Sequence, residues 1–84
     1  MLEEIGSIIK YHRQKSGLTQ LELATLAGIG KAAVYDMEHK TKSTRMDTLI
    51  KVLKVLNIDV KFASPLMKAY EEQKREESED IRPK

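Results

Sequence analysis

Cysteine is absent from this chain of 84 residues, which excludes a disulfide scaffold and a thiolate metal site. Apolar runs are short, and none approaches the ~20 residues that span a bilayer, so no membrane span is expected. The start, Met1-Leu2-Glu3-Glu4, is acidic and unlike a signal peptide. Histidine is scarce too: His12 and His39 form no close pair, so no metal ligand set is expected. Ser7, Ser16, Ser43 and Ser64 have no histidine placed to activate them, which argues against nucleophilic catalysis and against an enzyme. No cofactor is expected. A domain of this length has a marginal core, for which an interface between copies is a natural supplement.

A large charge of one sign is also lacking, since the formal net charge is only +2. It is unevenly spread. From Lys10 to Arg45 seven basic residues stand against three acidic ones, whereas from Glu71 to Asp80 six acidic residues oppose Lys74 and Arg75. The basic part therefore suits a phosphate surface and the acidic part does not.

Within the basic part, residues 19–38 read as two short helices joined by a glycine-bounded turn, the pattern of a helix-turn-helix DNA reader. Thr19 can cap the first of them and Glu22, three positions on, can return the bond, while Leu18 and Leu23 are spaced as a hydrophobic staple. Ala24 suits a helix crossing where a larger side chain would not fit. Gly28 can take the left-handed conformation that ends the helix. Ile29 then turns inward, Val34 with Met37 or Glu38 points back to the core, and Lys31, Ala32, Tyr35 and Asp36 remain outward.

This arrangement resembles the lambda-repressor-like family of phage and bacterial regulators over roughly residues 4–57. Ile5-Gly6, Ile9, Arg13 and Gly17-Leu18-Thr19-Gln20 fall at the family's spacings upstream, and Asp47-Thr48-Leu49 and Leu53 to Leu56 match its fourth helix. The resemblance implies a partly buried ion pair between Arg13 and Glu38, tying the first helix to the third; with no signal peptide or membrane span expected, a bacterial cytoplasm is the default compartment.

Periodicity supplies the other elements. A first helix over Leu2 to Ser16 carries Ile5, Ile8, Ile9 and His12 on one stripe and ends at Gly17. After a basic loop, His39 to Ser43, Thr44 can cap a fourth helix with Asp47 as its reciprocal partner. Met46, Leu49, Ile50, Leu53 and Leu56 form its core face through to Asn57. Val52 and Val55 lie off that stripe and widen the apolar surface, as an interface would need.

The period then changes from 3.6 to 2. Ile58, Val60 and Phe62 alternate with Asp59 and Lys61, which predicts one strand over residues 58–63. A lone strand leaves an unpaired edge. Pairing with the same strand of a second copy resolves it, with Val52, Val55, Ile58, Val60 and Phe62 forming a two-fold dimer interface. Phage repressors continue with a fifth helix here, and the strand resembles instead the HipB-type branch, DNA-binding antitoxins of kinase toxin–antitoxin pairs. The expected fold is thus mainly α: a four-helix lambda-repressor-like domain plus one C-terminal strand shared across a dimer, over residues 1–63. Residues 64–84 form a charged tail. Ser64 and Pro65 can start a helix there, Leu66, Met67, Ala69 and Tyr70 give one apolar turn, and the charged run beyond cannot bury itself. It reads either as a frayed helix passing into disorder or as a segment that folds on a partner protein.

On double-stranded DNA, a two-fold dimer would set two recognition helices about one turn, ~34 Å, apart on a pseudo-palindromic operator. The resemblance gives Gln20 a phosphate beside the helix N-terminus, where free amides also favour anions. Lys31 can donate to guanine or to a phosphate, Ala32 and Ala33 can touch a thymine methyl, and Asp36 can accept from cytosine. Tyr35 can stack on a sugar, bond a phosphate or pack partly on the protein. Gly30 leaves only its backbone amide for phosphate. Lys40, Lys42 and Arg45 fit the DNA backbone on the far side. Two functions share this chemistry: a repressor that acts alone, and an antitoxin that also binds a kinase-like toxin.

Overall fold

The computed structural model describes residues 2–39 and 44–81, among which five helices follow one another. They are α1 (Leu2–Lys15), α2 (Gln20–Ala27), α3 (Lys31–His39), α4 (Met46–Val55) and α5 (Met67–Ile81). Three of them stop in the same way. At the end of α1, Gly17 takes a positive φ of 74°, its amide bonds Gln14 O at 3.0 Å, and the next amide, of Leu18, returns to Arg13 O at 3.1 Å. Gly28 does this for α2, with Ile29 returning to Ala24 O at 2.9 Å, and Asn57, at φ 57°, does it for α4, with Ile58 returning to Leu53 O at 2.9 Å. These are Schellman ends, and the residue after each left-handed position is apolar. Leu18, Ile29 and Ile58 all pack against the core.

That core comes from four helices and the end of the fourth: Ile9 of α1, Leu23 and Ala24 of α2, Val34 and Met37 of α3, Leu49, Val52 and Leu53 of α4, and Leu56 beyond it. α3 lies against both α1 and α2, and α4 against α2. Ala24 is buried, as its expected place at a crossing requires. The start of α2 is fixed by a complete capping box, with Glu22 N donating to Thr19 Oγ1 at 3.0 Å and Thr19 N to Glu22 Oε1 at 2.9 Å.

At α4 the structure corrects the expectations. The helix starts one residue later than Thr44 would have it, with Arg45 at the cap and no side-chain cap bond. Asp47 falls at the wrong position to reach back, and its short carboxylate accepts from Thr48 N at 2.9 Å and Arg45 Nη2 at 3.3 Å. Its inward stripe is Leu49, Val52, Leu53 and Leu56. Met46 and Ile50, expected inside, lie one turn apart on the exposed side. Val52, expected at an interface between copies, is wholly buried in the chain's own core, and Val55 packs partly against it.

Residues 58–64 form neither helix nor strand. Strand geometry is defined by a bonded neighbour, and no other described segment of this chain lies alongside to supply one. Ile58 docks on the core, while Val60 and Phe62 are 60% and 76% exposed. α5 begins two residues after Pro65, following a turn in which Met67 N bonds Ser64 O at 3.1 Å, and it stays helical through the charged run to Ile81. None of its described residues joins the core: Tyr70 near its start is exposed, as is Leu66 just before it. The radius of gyration, 16.7 Å, exceeds the about 12 Å of a compact chain of this length.

Candidate nucleic-acid interface

The interface is built from the inside. Arg13 is a buried charged residue of α1 whose side chain is about one-tenth exposed, and the Glu38 side chain it meets, near the end of α3, is wholly buried. The guanidinium grips the carboxylate with two nitrogens, Nε to Oε2 at 2.6 Å and Nη2 to Oε1 at 3.1 Å, and a third, Nη1, donates to Leu18 O at 2.8 Å. Such a fork fixes distance and plane at once. Gln20, the first residue of α2, adds Nε2 to Glu38 Oε1 at 3.2 Å. One carboxylate therefore joins α1, α2 and α3, and no buried side-chain polar atom among the described residues lacks a partner.

This lock orients α3. Val34 and Met37 face in, and Lys31, Ala32, Tyr35 and Asp36 face out, as expected, with Ala33 half-buried between them. Gly30 precedes the helix, its carbonyl accepting from Ala33 N at 3.1 Å, and a Cβ there would meet nothing within 4 Å. Gln20, expected on a phosphate, spends one amide hydrogen on Glu38 and keeps a second on a half-buried side chain at the mouth of α2. Arg45 is exposed and holds Asp47. Lys40 and Lys42 lie outside the described residues. Val60 and Phe62 present open apolar side chains.

One residue of this face was missed in sequence. His39, expected in the loop, is the last residue of α3; its ring stacks on Tyr35 with centroids 4.1 Å apart and planes 17° from parallel. The i, i+4 spacing of Tyr35 and His39 was the signal available.

Two helices crossing through a left-handed glycine, the second helix exposed and pinned from beneath, form a helix-turn-helix. The helix-turn-helix family model matches residues 9–62, more than half of the chain. The chain belongs to the helix-turn-helix family. It is a DNA-binding regulator of that family, and its similarity to individual members is uneven. Antitoxin HipB of Escherichia coli K12 is 34% identical over 67 residues, which take in 74% of this chain and 76% of HipB. The uncharacterized HTH-type transcriptional regulator y4mF of Sinorhizobium fredii is 27% identical over 62 residues, 74% of this chain and 82% of y4mF. Among solved structures, a chain of a HipA-HipB-O2-O3 complex is 28% identical with a TM-score of 0.72, over 77% of this chain and 92% of that one. A chain from a complex of a HipB variant with an O2 20mer gives the same identity and TM-score over 77% of this chain and 90% of its own. The expected likeness to HipB-type members is thereby found. No helix among the described residues is long and apolar enough to cross a membrane.

Proposed function

We propose that this helix-turn-helix protein is a sequence-specific repressor of the HipB kind: a homodimer that binds a pseudo-palindromic operator of its own operon and also binds a kinase-like toxin. The observation that carries this reading is the locked, outward face of α3 in a chain similar to one solved with HipA and O2-O3. In this reading Lys31, Ala32, Ala33, Tyr35 and Asp36 meet base edges or the adjoining backbone, and Gln20, Gly30, Lys40, Lys42 and Arg45 hold phosphates. Val55, Ile58, Val60 and Phe62 form the contact between copies, with residues 58–63 pairing as a two-stranded ribbon once the second chain is there. The open apolar side chains of Val60 and Phe62 support that arrangement, because exposed apolar area is what association removes from water.

Binding to the promoter fragment of the operon, with a Kd between ~10⁻⁸ and 10⁻¹¹ M that weakens steeply with salt, is the expected result. Lys31→Ala relaxes sequence preference by ~1–3 kcal/mol if Lys31 reads a base; equal weakening on all sequences assigns it to phosphate instead. Co-expression with the product of the adjacent gene tests the toxin. A stable complex that still binds the operator supports the antitoxin, and deletion of residues 66–84 weakens that complex if the tail is a partner segment. A second reading is a transcriptional regulator that acts alone; absence of any partner in a native pull-down would support it.

A further inference from the structure

Both histidines set Nδ1 against the carbonyl one helical turn earlier, His12 against Ile8 O at 2.7 Å and His39 against Tyr35 O at 2.9 Å. A carbonyl oxygen only accepts, so in both rings Nδ1 carries the hydrogen and donates it. In the neutral imidazole this leaves Nε2 as a bare acceptor. For His12, half-buried on α1 with Tyr11 edge-on to it at 5.7 Å, that has no bearing on DNA. His39 is placed differently. Lys31, Tyr35 and His39 are spaced four residues apart, all exposed, on a single stripe of α3. The stripe runs for ~12 Å of helix, about the width of the major groove.

A neutral His39 has nothing to offer a phosphate oxygen, since acceptor would meet acceptor. The imidazolium offers both an N–H and a charge, and the last turn of a helix favours a cation. We infer that His39 is a further DNA contact of the recognition helix, made to the backbone at the far end of the Lys31–Tyr35–His39 stripe, and that it is made only by the imidazolium, so that binding DNA takes up a proton. The inference rests on the DNA-binding reading above. Of the carboxylates around α3, two are engaged elsewhere. Glu38, next in the chain, is turned inward onto Arg13 of α1 and Gln20 of α2. Glu22 of α2 is bonded back to Thr19. Asp36, three residues before His39, is the carboxylate that shares its outward side.

The test uses the full chain and a DNA site selected from a random pool, with affinity measured from pH 8 to pH 6. Wild type is expected to strengthen at least tenfold over that range, within the hundredfold per protomer that uptake of one proton over two pH units allows. His39→Gln, uncharged, is expected to lose that pH dependence, and His12→Gln to keep it. Without DNA, nitrogen shifts in NMR should report the Nδ1–H tautomer for neutral His39. A pH dependence that survives His39→Gln, or an Nε2–H tautomer, overturns the inference while leaving DNA binding in place. Failure of wild type to select any DNA overturns the functional reading itself.

Discussion

Arg13 and Glu38, 25 residues apart in sequence, meet through two nitrogen–oxygen contacts of 2.6 and 3.1 Å, and the same guanidinium also closes the end of its own helix on Leu18 O at 2.8 Å. One side chain thus braces the turn that follows α1 and holds α3 against it. Replacing Arg13 with alanine leaves a buried carboxylate and an orphaned carbonyl, an expected loss of ~3–5 kcal/mol of folding stability. Urea titration checks this, and Arg13→Ala combined with Glu38→Ala should cost clearly less than the two single losses added together.

At the start of α2, backbone and then side-chain hydrogen bonding with Thr19 holds the Glu22 carboxyl below its ordinary value. A lowered folded-state pKa contributes stability that is present above the unfolded value and lost as pH falls through the folded one. Wild type should therefore lose its advantage over Glu22→Gln on acidification below about pH 4.5. Parallel urea midpoints at pH 7 and pH 3 measure it. Thr19→Ala, which removes the other half of the box, should cost ~0.5–2 kcal/mol at neutral pH.

Val52 and Ile50 face opposite ways on α4. Val52→Ala should lower stability by roughly 2 kcal/mol through lost methyl groups and the space they leave, with a melting shift independent of protein concentration. Ile50→Ser, on the exposed side, should stay within about 0.5 kcal/mol in the monomer. A concentration-dependent loss from Val52→Ala would return that residue to an interface.

The ribbon between copies is tested at Val60. Proline there removes a donor from the ladder, so analytical ultracentrifugation should show monomer. An unchanged dimer would place the contact elsewhere, with the exposed Met46 and Ile50 as the next surface to vary.

Features governed by local chemistry were legible in the sequence. The capping box of Thr19 and Glu22, the ends at Gly17 and Gly28, the inward set Ile9, Leu23, Val34 and Met37, and the outward face of α3 all follow from spacing within a turn or two. The pairing of Arg13 with Glu38 came from family resemblance, since nothing local links positions so distant. Errors arose where the answer depends on the rest of the molecule. A stripe on α4 has two apolar edges, and only the position of α2 decides that Val52 goes in while Met46 and Ile50 stay out. Residues 58–63 are a different case: they alternate as a strand does, and their pairing belongs to the proposed contact between copies, which one chain does not test. His39, expected to open the loop, closes α3 instead, with its side chain bonded to Tyr35 O and stacked on the Tyr35 ring.

The three left-handed helix ends have a consequence for motion. Each stop is followed at once by an apolar side chain seated on the common core, so the final turn of α1, α2 or α4 cannot unwind without withdrawing Leu18, Ile29 or Ile58. Fraying, ordinarily the lowest-energy opening of a short helix, is thereby coupled to global unfolding. Amide hydrogens in those last turns should exchange with solvent nearly as slowly as those at the centre of the bundle. α5, none of whose described residues belongs to the core, should exchange freely along its length, so one small chain would hold a single cooperative block and an independent, fast-opening arm.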